Sequence, residues 1–251
     1  MKKFKLLMLA LLLGYTSAYA QIGEHRNDFS VGVNGGYLMS SITFTPDVPQ
    51  KQHGGMTGGL SFRYVCEKYF KTICSIYGEV NYSLAGWKED ILDRDNNPVL
   101  IKGTNEALAY SRTINYVQVP VFAHLAWGRE ERGLNIFVNL GPQFGYYLSE
   151  STTTNFDSST ETENNRVNTV VAQDTMKVEN KFDYGIAVGL GAEYSVPKVG
   201  HFLAEVRYYY GLGNIYGSSK RDYFGTSNYG QIVVKLSYLF DITKTKNVKR
   251  K

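Results

Sequence analysis

One segment of the chain, residues 182–196 (FDYGIAVGLGAEYSV), alternates between two kinds of side chain. Its even positions are all apolar, with aromatic residues near both ends, and its odd positions are small or charged. Because successive side chains of a strand point to opposite faces, the segment is predicted to be a strand with two different faces. About 9–11 tilted residues cross a bilayer, and aromatic residues mark the headgroup level. The glycine-rich face suits the crowded interior of a narrow barrel, so we interpret the segment as one membrane-spanning strand.

Seven further segments alternate in the same way, at residues 29–39, 57–66, 74–86, 112–127, 135–149, 201–210 and 231–240. The connections between the eight strands are alternately long and short. Bacterial outer-membrane barrels combine an even number of strands with short periplasmic turns and long extracellular loops. The sequence therefore predicts an all-β fold, an eight-stranded antiparallel transmembrane up-and-down β-barrel. The same pattern predicts the cell outer membrane as its location and the periplasm as the side of both termini.

A soluble, lipocalin-like barrel of eight strands is the alternative fold. Such a barrel places its apolar face inward around a ligand and its charged residues outside. In this chain the charged strand residues share the face opposite the aromatic residues. A soluble barrel also gives no reason for long connections at one end only, so the membrane barrel is favoured.

The first twenty residues have the pattern of a cleaved signal peptide. A basic start is followed by an apolar run at 6–13 and by the small-x-small site Ala18-Tyr19-Ala20. The apolar run is far shorter than the roughly 20 residues of a spanning helix. We therefore predict export, with residues 21–240 as the barrel and 241–251 as a basic periplasmic tail.

The formal net charge of +4 does not indicate a nucleic-acid partner. Three of the lysines belong to the predicted signal peptide, and five basic residues lie within the last eight positions of the chain. The rest of the chain has no basic patch of the kind that binds nucleic acid.

Charged residues on the inward face are expected to pair inside the barrel, because an unpaired buried charge is costly. They are Arg63, Glu79, Asp183, Glu193, Glu205, Arg207 and Lys235. We expect Asp183 and Glu193 to pair with Arg63, Arg207 or Lys235. An eight-stranded barrel is about wide enough for its side chains to fill it, whereas wide aqueous channels need about 16 strands. A structural plug of ion pairs is therefore favoured over the alternative, a narrow conduction path or proton relay.

Cys66 and Cys74 flank the first short turn, CEKYFKTIC. A hairpin centred near Phe70 would place them directly opposite each other on the outward face. Disulfides form in the oxidising periplasm, and closing so small a loop contributes on the order of 2–3 kcal/mol in the chain-entropy model. A structural disulfide is predicted, since two cysteines without a nearby histidine pair are weak support for a metal or redox centre.

The sequence predicts no catalytic residue, no cofactor and no metal ligand. An outer-membrane hydrolase or acyltransferase would need a histidine with Ser or Asp near the extracellular rim. Only His53 is expected at that rim, in the glycine-rich context QHGG, where a solvated loop histidine is the favoured interpretation. The loop NIYGSSKRDYFGTSNYG is rich in Tyr, Asn and Ser, like adaptable recognition surfaces, although ordinary solvated loops share this composition.

Four segments resemble the PorT-like outer-membrane barrel family of Bacteroidetes: NYVQVPVF (115–122), LGPQFGYYLS (140–149), KFDYGIAVGLGAEY (181–194) and EVRYYYGLGNI (205–215). The resemblance implies an eight-stranded barrel that the barrel-assembly machinery inserts among outer-membrane lipids. The founding member of this family is tied to the type IX secretion system, so the resemblance also implies secretion components as partners. The matching motifs are strand-packing patterns, and no functional residue is transferred from them.

The last predicted strand ends Tyr238-Leu239-Phe240, which fits the aromatic-x-aromatic end of a barrel-assembly signal. It departs from the usual pattern in two respects, because Lys235 stands where a glycine is often found and an 11-residue tail follows. The sequence is compatible with three functions. The first is a non-enzymatic barrel that serves type IX secretion, the second is a general surface barrel that recognises ligands or supports the envelope, and the third is an outer-membrane lipid-modifying enzyme.

Overall fold

The computed structural model describes residues 24–129, 132–167, 171–217 and 223–245. The predicted signal peptide lies outside these residues, as does most of the predicted tail. The strands are β1 (Glu24–Thr45), β2 (Gln50–Lys51), β3 (His53–Tyr69), β4 (Thr72–Glu89), β5 (Tyr110–Gly128), β6 (Gly133–Thr154), β7 (Phe182–Val196), β8 (Gly200–Asn214) and β9 (Thr226–Thr243). A single helical turn, α1 (Ala172–Thr175), lies between β6 and β7.

Eight long strands close into one antiparallel ring in the order β1-β3-β4-β5-β6-β7-β8-β9, and β9 pairs back onto β1. The short strand β2 is added to the end of β4. Because the ring is closed, every long strand has two hydrogen-bonded neighbours and no long edge is exposed. Strands four places apart in the ring lie on opposite sides of the lumen, as β3 and β7, β4 and β8, and β5 and β9 do. The predicted fold, an eight-stranded up-and-down barrel, is confirmed.

The two ends of the barrel differ in their connections. We call one the long-loop end, where residues 46–52, 90–109, 155–181 and 215–225 connect the strands. We call the other the termini end, where the short connections after β3, β5 and β7 lie beside the start of β1 and the end of β9. This distribution agrees with the alternation of long and short connections in the sequence.

The outward face of the ring is apolar and exposed over its middle part. Val206, Leu190 and Leu236 expose half or more of their surface there. Such a continuous apolar belt on a closed barrel is the surface that lipid covers. Among the described residues no helix is long and apolar enough to cross a membrane.

Several strands are longer at the long-loop end than the sequence predicts. β1 continues from Met39 to Thr45, and β4 continues to Glu89, so Trp87 belongs to a strand and is fully buried. In these extensions the pattern inverts, because Ile42 and Phe44 point inward while their neighbours are polar and outward. The alternation with outward apolar residues, which predicts the strands, therefore ends where this inversion begins.

The expectation that Cys66 and Cys74 lie directly opposite each other is wrong. The turn at Phe70, which has φ +52°, pairs Tyr69 with Thr72, but a bulge follows between Val65 and Glu67. Cys74 therefore pairs with Glu67 and not with Cys66, and both cysteines are free thiols in the structure. The predicted disulfide stays a prediction that requires the bulge to rearrange.

Candidate functional site

The centre of the lumen contains four charged side chains that we call the ion quartet: Glu79, Glu205, Arg207 and Lys235. The guanidinium of Arg207 donates to both Glu79 oxygens at 2.9 and 3.1 Å, and to both Glu205 oxygens at 3.0 and 2.8 Å. Lys235 Nζ also bonds Glu79 and lies 4.0 Å from Glu205. Two anions balance two cations, and all four side chains are almost completely buried.

The ion quartet connects opposite sides of the barrel, because Glu79 is on β4 while Arg207 is on β8. Neighbouring amides complete its hydrogen bonds: Asn81 donates to Glu79 at 2.7 Å and Asn139 to Glu205 at 3.0 Å. Small residues leave room for it, since a Cβ atom at Gly189 would clash with the Glu205 carboxylate. A buried pair is stable only when its remaining polar atoms are satisfied in this way.

A second charged cluster lies nearer the termini end. Arg63 on β3 donates to Glu193 on β7 at 2.7 Å, which is another bond between opposite strands. His201 lies between Glu193, at 2.6 Å, and Asp241, at 3.0 Å. The ion pair of Arg63 and Glu193 agrees with the pairing predicted for the inward charges. The sequence does not predict the contacts of His201 and Asp241, because both residues lie at strand ends.

Contrary to expectation, Asp183 forms no ion pair with a cation of the described residues. Its carboxylate accepts a hydrogen bond from the hydroxyl of Tyr209 at 2.6 Å. At this level of the lumen the buried neighbours are tyrosines, and Tyr116 and Tyr229 pack edge to face at 5.6 Å. Asp183 therefore belongs to a layer of buried tyrosines above the ion quartet.

The long-loop end of the lumen is closed by one part of the hydrophobic core, which we call the cap core. Its members are Ile42, Phe44, Val48, Trp87, Ile91, Val99, Tyr110, Ile114, Ile215, Tyr216 and Phe224. Phe44 lies at its centre, with ring centroids 4.7 Å from Phe224 and 5.7 Å from Trp87. Arg112 stacks over the Trp87 ring at 5.2 Å and donates to the Tyr216 hydroxyl at 2.9 Å. Burial of this many aromatic side chains gives the cap core substantial hydrophobic stabilisation.

All four long connections contribute buried residues to this closure. Val48, Val99, Gln173 and Tyr216 come from the four connections in turn, and each exposes 2 % or less of its surface. The second and third connections also pair through their backbones, since Lys102 N donates to Glu161 O at 2.9 Å. The long loops therefore form one folded cap on the barrel.

A cluster of charges holds α1 against the barrel. Arg166 forms ion pairs with Glu89 at the end of β4 and with Asp174 in α1, the latter at 3.7 Å. Gln173 donates to Glu89 at 3.3 Å. Burial raises the pKa of the Asp174 carboxyl above its ordinary value, although the nearby Arg166 opposes the shift.

The structure changes the position expected for His53. It is not a loop residue but the first residue of β3, half-buried, with its Nε2 3.0 Å from the Thr113 hydroxyl. Within the described part of the chain, no group of three His, Cys, Asp or Glu side chains is arranged to hold a metal ion. The arrangement of the lumen is thus one of closed packing, with charged pairs below and an aromatic core above.

A closed eight-stranded ring with an apolar belt, short turns at one end and long connections at the other defines an outer-membrane β-barrel. The sequence matches the family described as outer membrane protein beta-barrel domain over residues 19–217. The protein belongs to this family. The family accounts for the outer-membrane location, and it does not distinguish a PorT-like member from others.

Solved structures of several small outer-membrane proteins align with most of the chain. Neisserial surface protein A is 11% identical, with 84% of this chain and 97% of that chain covered and a TM-score of 0.39. OprG from Pseudomonas aeruginosa is 12% identical, with 87% and 98% covered and a TM-score of 0.37. Ail of Yersinia pestis is 13% identical, with 86% and 99% covered and a TM-score of 0.32. These similarities carry no inference about function. A comparison with curated proteins found no match.

Proposed function

We propose that the protein is a non-enzymatic, closed outer-membrane barrel that acts by presenting its folded cap to a partner outside the cell. One observation carries this proposal: all four long connections bury residues in the cap, three of them as members of the cap core and residues 155–181 through the buried Gln173. Loops that only join strands have no need of a shared core. A fixed surface of this kind loses little conformational entropy on binding.

The proposal places the long-loop end outside the cell and the termini in the periplasm. It is supported by the concentration of long connections at one end, which is the usual asymmetry of bacterial outer-membrane barrels. In this orientation the cap faces the medium and the ion quartet lies at membrane depth.

The filled lumen supports a binding role over conduction. The ion quartet connects β4 to β8, and Arg63 connects β3 to β7, so bonded charges cross the lumen at two levels. A solute path would require these pairs to separate, and separating a buried pair costs about 3–5 kcal/mol.

The resemblance to PorT-like barrels supports a more specific partner, a component of the type IX secretion system. In this version the cap would contact a secretion component at the cell surface, and export of proteins to the surface would depend on it. Insertion would use the barrel-assembly machinery, with Tyr238 and Phe240 near the end of β9 as its signal.

The test uses a strain that lacks the gene, complemented with variants of the full chain. In the cap variant, exposed loop-tip residues 94–97 and 157–159 are replaced by Gly and Ser. In the control variant, the exposed turn residue Lys71 at the other end is replaced by Ser. Both variants should reach the outer membrane and migrate as folded barrels on an unheated gel.

Two measurements separate the outcomes. If the cap variant alone fails to restore the surface proteome, both the cap and the secretion role are supported. An unchanged surface proteome in the deletion strain excludes a role in type IX secretion. In that case the binding of the purified protein to the surface of other cells tests the role of the cap by itself. Equal behaviour of the cap variant and the control variant in both measurements would overturn the proposal.

A further inference from the structure

A pocket of about 360 Å³ lies on the outer surface of the barrel at the termini end. It is formed where the turn between β7 and β8 meets the end of β9. Lys198 and Lys244 line it together with Val199, Phe240 and Asp241. The pocket therefore combines two cations with two side chains of the apolar face.

The turn that carries Lys198 is fixed against β9. Val199 N donates to Val196 O at 3.1 Å, and Lys198 has the left-handed φ of +64° within this turn. The Tyr238 hydroxyl donates to Val199 O at 2.6 Å. Gly200 has φ +136°, and a Cβ atom there would clash with the carbonyl of Leu239. The position of Lys198 is thus set by the backbone of the turn and does not depend on a flexible loop.

The pocket has a net positive charge. Its carboxylate, Asp241, is bonded from the lumen side by Ser30 at 2.6 Å and by His201 at 3.0 Å. Lys244 lies 3.6 Å from the same carboxylate but keeps half of its side chain exposed. With Asp241 shared among several partners, the two ammonium groups are left with capacity for an additional anion.

The apolar side of the pocket continues into the belt that lipid covers. Phe240 and Val199 each expose nearly half of their surface beside the two lysines. A ligand that fits must therefore carry an anionic group next to an apolar chain, and it must approach within the plane of the membrane surface.

We propose that this pocket binds the phosphate of an anionic phospholipid, with Lys198 and Lys244 contacting the headgroup and Phe240 contacting an acyl chain. Basic pockets at membrane surfaces bind anionic headgroups by the same charge complementarity. Beyond the described residues the sequence continues with Lys246, Lys249, Arg250 and Lys251. This inference is independent of the role of the cap.

The test is native mass spectrometry of the full-length mature protein, released from nanodiscs that contain equal amounts of phosphatidylglycerol and phosphatidylcholine. The wild type is expected to retain phosphatidylglycerol preferentially. Lys198→Gln and Lys244→Gln should each reduce this preference roughly fivefold, as expected for the loss of one lysine beside an anionic membrane surface. Lys102→Gln, an exposed lysine at the long-loop end, is the matched control and should retain the preference.

Two further arms identify the source of the phosphate. Addition of inorganic phosphate or glycerol 3-phosphate should not displace the lipid if the acyl chain contributes to binding. Displacement by either would overturn the lipid proposal in favour of a soluble phosphate site. Equal retention of the two lipids by the wild type, or an equal loss of preference in Lys102→Gln, would overturn the site itself.

Discussion

The membrane-spanning part of the barrel and its extension toward the long loops follow opposite rules for which face is apolar. In the spanning part, Val206 points outward to lipid while Glu205 and Arg207 point into the lumen. In the extension, Phe44 points into the lumen while Thr43 and Thr45 point outward. The same β-strand, β1, passes from one rule to the other along its length.

This inversion of the outward face follows the medium that covers it. Where lipid covers the outer face, charged side chains share the lumen with buried aromatic residues such as Phe122 and Phe137, and those charges balance each other because an unpaired buried charge is costly. Where water covers the outer face, the extension folds as a soluble barrel does, around an apolar core. The ion quartet and the cap core are the two results of one closed topology.

The largest expected effect comes from removing one charge of the ion quartet. Glu79→Gln leaves Arg207 and Lys235 with Glu205 as the remaining carboxylate of the quartet, and breaking a buried pair in this way costs about 3–5 kcal/mol. We expect a lower midpoint of urea unfolding, measured by tryptophan fluorescence in detergent micelles. Glu106→Gln, an exposed loop carboxylate, should leave the midpoint unchanged.

A second substitution separates loss of charge balance from loss of contact. In the double variant Glu79→Gln, Lys235→Met, one anion and one cation are removed together, so Arg207 and Glu205 remain as a balanced pair. We expect the double variant to recover much of the lost stability. If it is less stable than Glu79→Gln alone, charge balance does not explain the quartet.

A cavity in the cap core should have a large but local effect. Ile215→Ala removes buried methylene groups, which costs roughly 2–5 kcal/mol. We expect faster trypsin cleavage at Lys177, in the third long connection, while migration on an unheated gel remains that of a folded barrel. Val167→Ala, at a residue half-exposed at the same end, is the control and should cleave like the wild type. Loss of barrel migration in Ile215→Ala would show that the two regions unfold as one unit.

The docking of α1 on the barrel should depend on pH. Because burial raises the pKa of Asp174, the docked state holds its proton more tightly than the undocked state. Docking is therefore most stable below the ordinary pKa of the group and weakens as pH rises through the raised value. Hydrogen exchange of residues 171–178 should show less protection at the higher pH, compared at each pH with Asp174→Asn. A wild type that follows Asp174→Asn at every pH would exclude this role.

The smallest effect is expected for an ion pair that water surrounds. Lys102 and Glu161 are 2.8 Å apart, but each exposes more than 60% of its side chain. Exposed pairs of this kind contribute about 0–1 kcal/mol and are screened by salt. Lys102→Ala should change the protection of residues 98–108 slightly at low salt and not at high salt. A loss as large as that of Glu79→Gln would contradict the distinction between buried and exposed pairs.

The sequence predicts the ring of eight strands because seven of its segments share the alternation of residues 182–196. β7 has the predicted bounds, Phe182–Val196, since lipid covers its outer face along nearly the whole length. The ends of β1 and β4 were predicted too short, because the alternation there changes sign above the membrane. In the sequence, an apolar residue such as Trp87 among polar residues indicates a loop. It indicates a strand only if the inversion of the apolar face is known beforehand.

The lumen was predicted in part. Opposite charges on inward positions indicate pairing, and this holds for Glu193 with Arg63. The partner of Asp183 could not be predicted, since a tyrosine hydroxyl at the right height depends on the stagger of the strands, which the sequence does not determine. The cap core was not predicted at all, because its residues come from strand extensions and from three connections that are distant in sequence.

Several of the lumen contacts follow diameters of the ring, and this has a mechanical consequence. Glu79 and Arg207, Arg63 and Glu193, and Gln118 and Gln231 (3.1 Å) each join strands that lie four places apart. A closed ladder of backbone hydrogen bonds fixes the circumference of a barrel but leaves its cross-section free to flatten. Bonds along several diameters resist that flattening in more than one direction. When lateral pressure changes, the surrounding lipid should therefore deform before the barrel becomes elliptical.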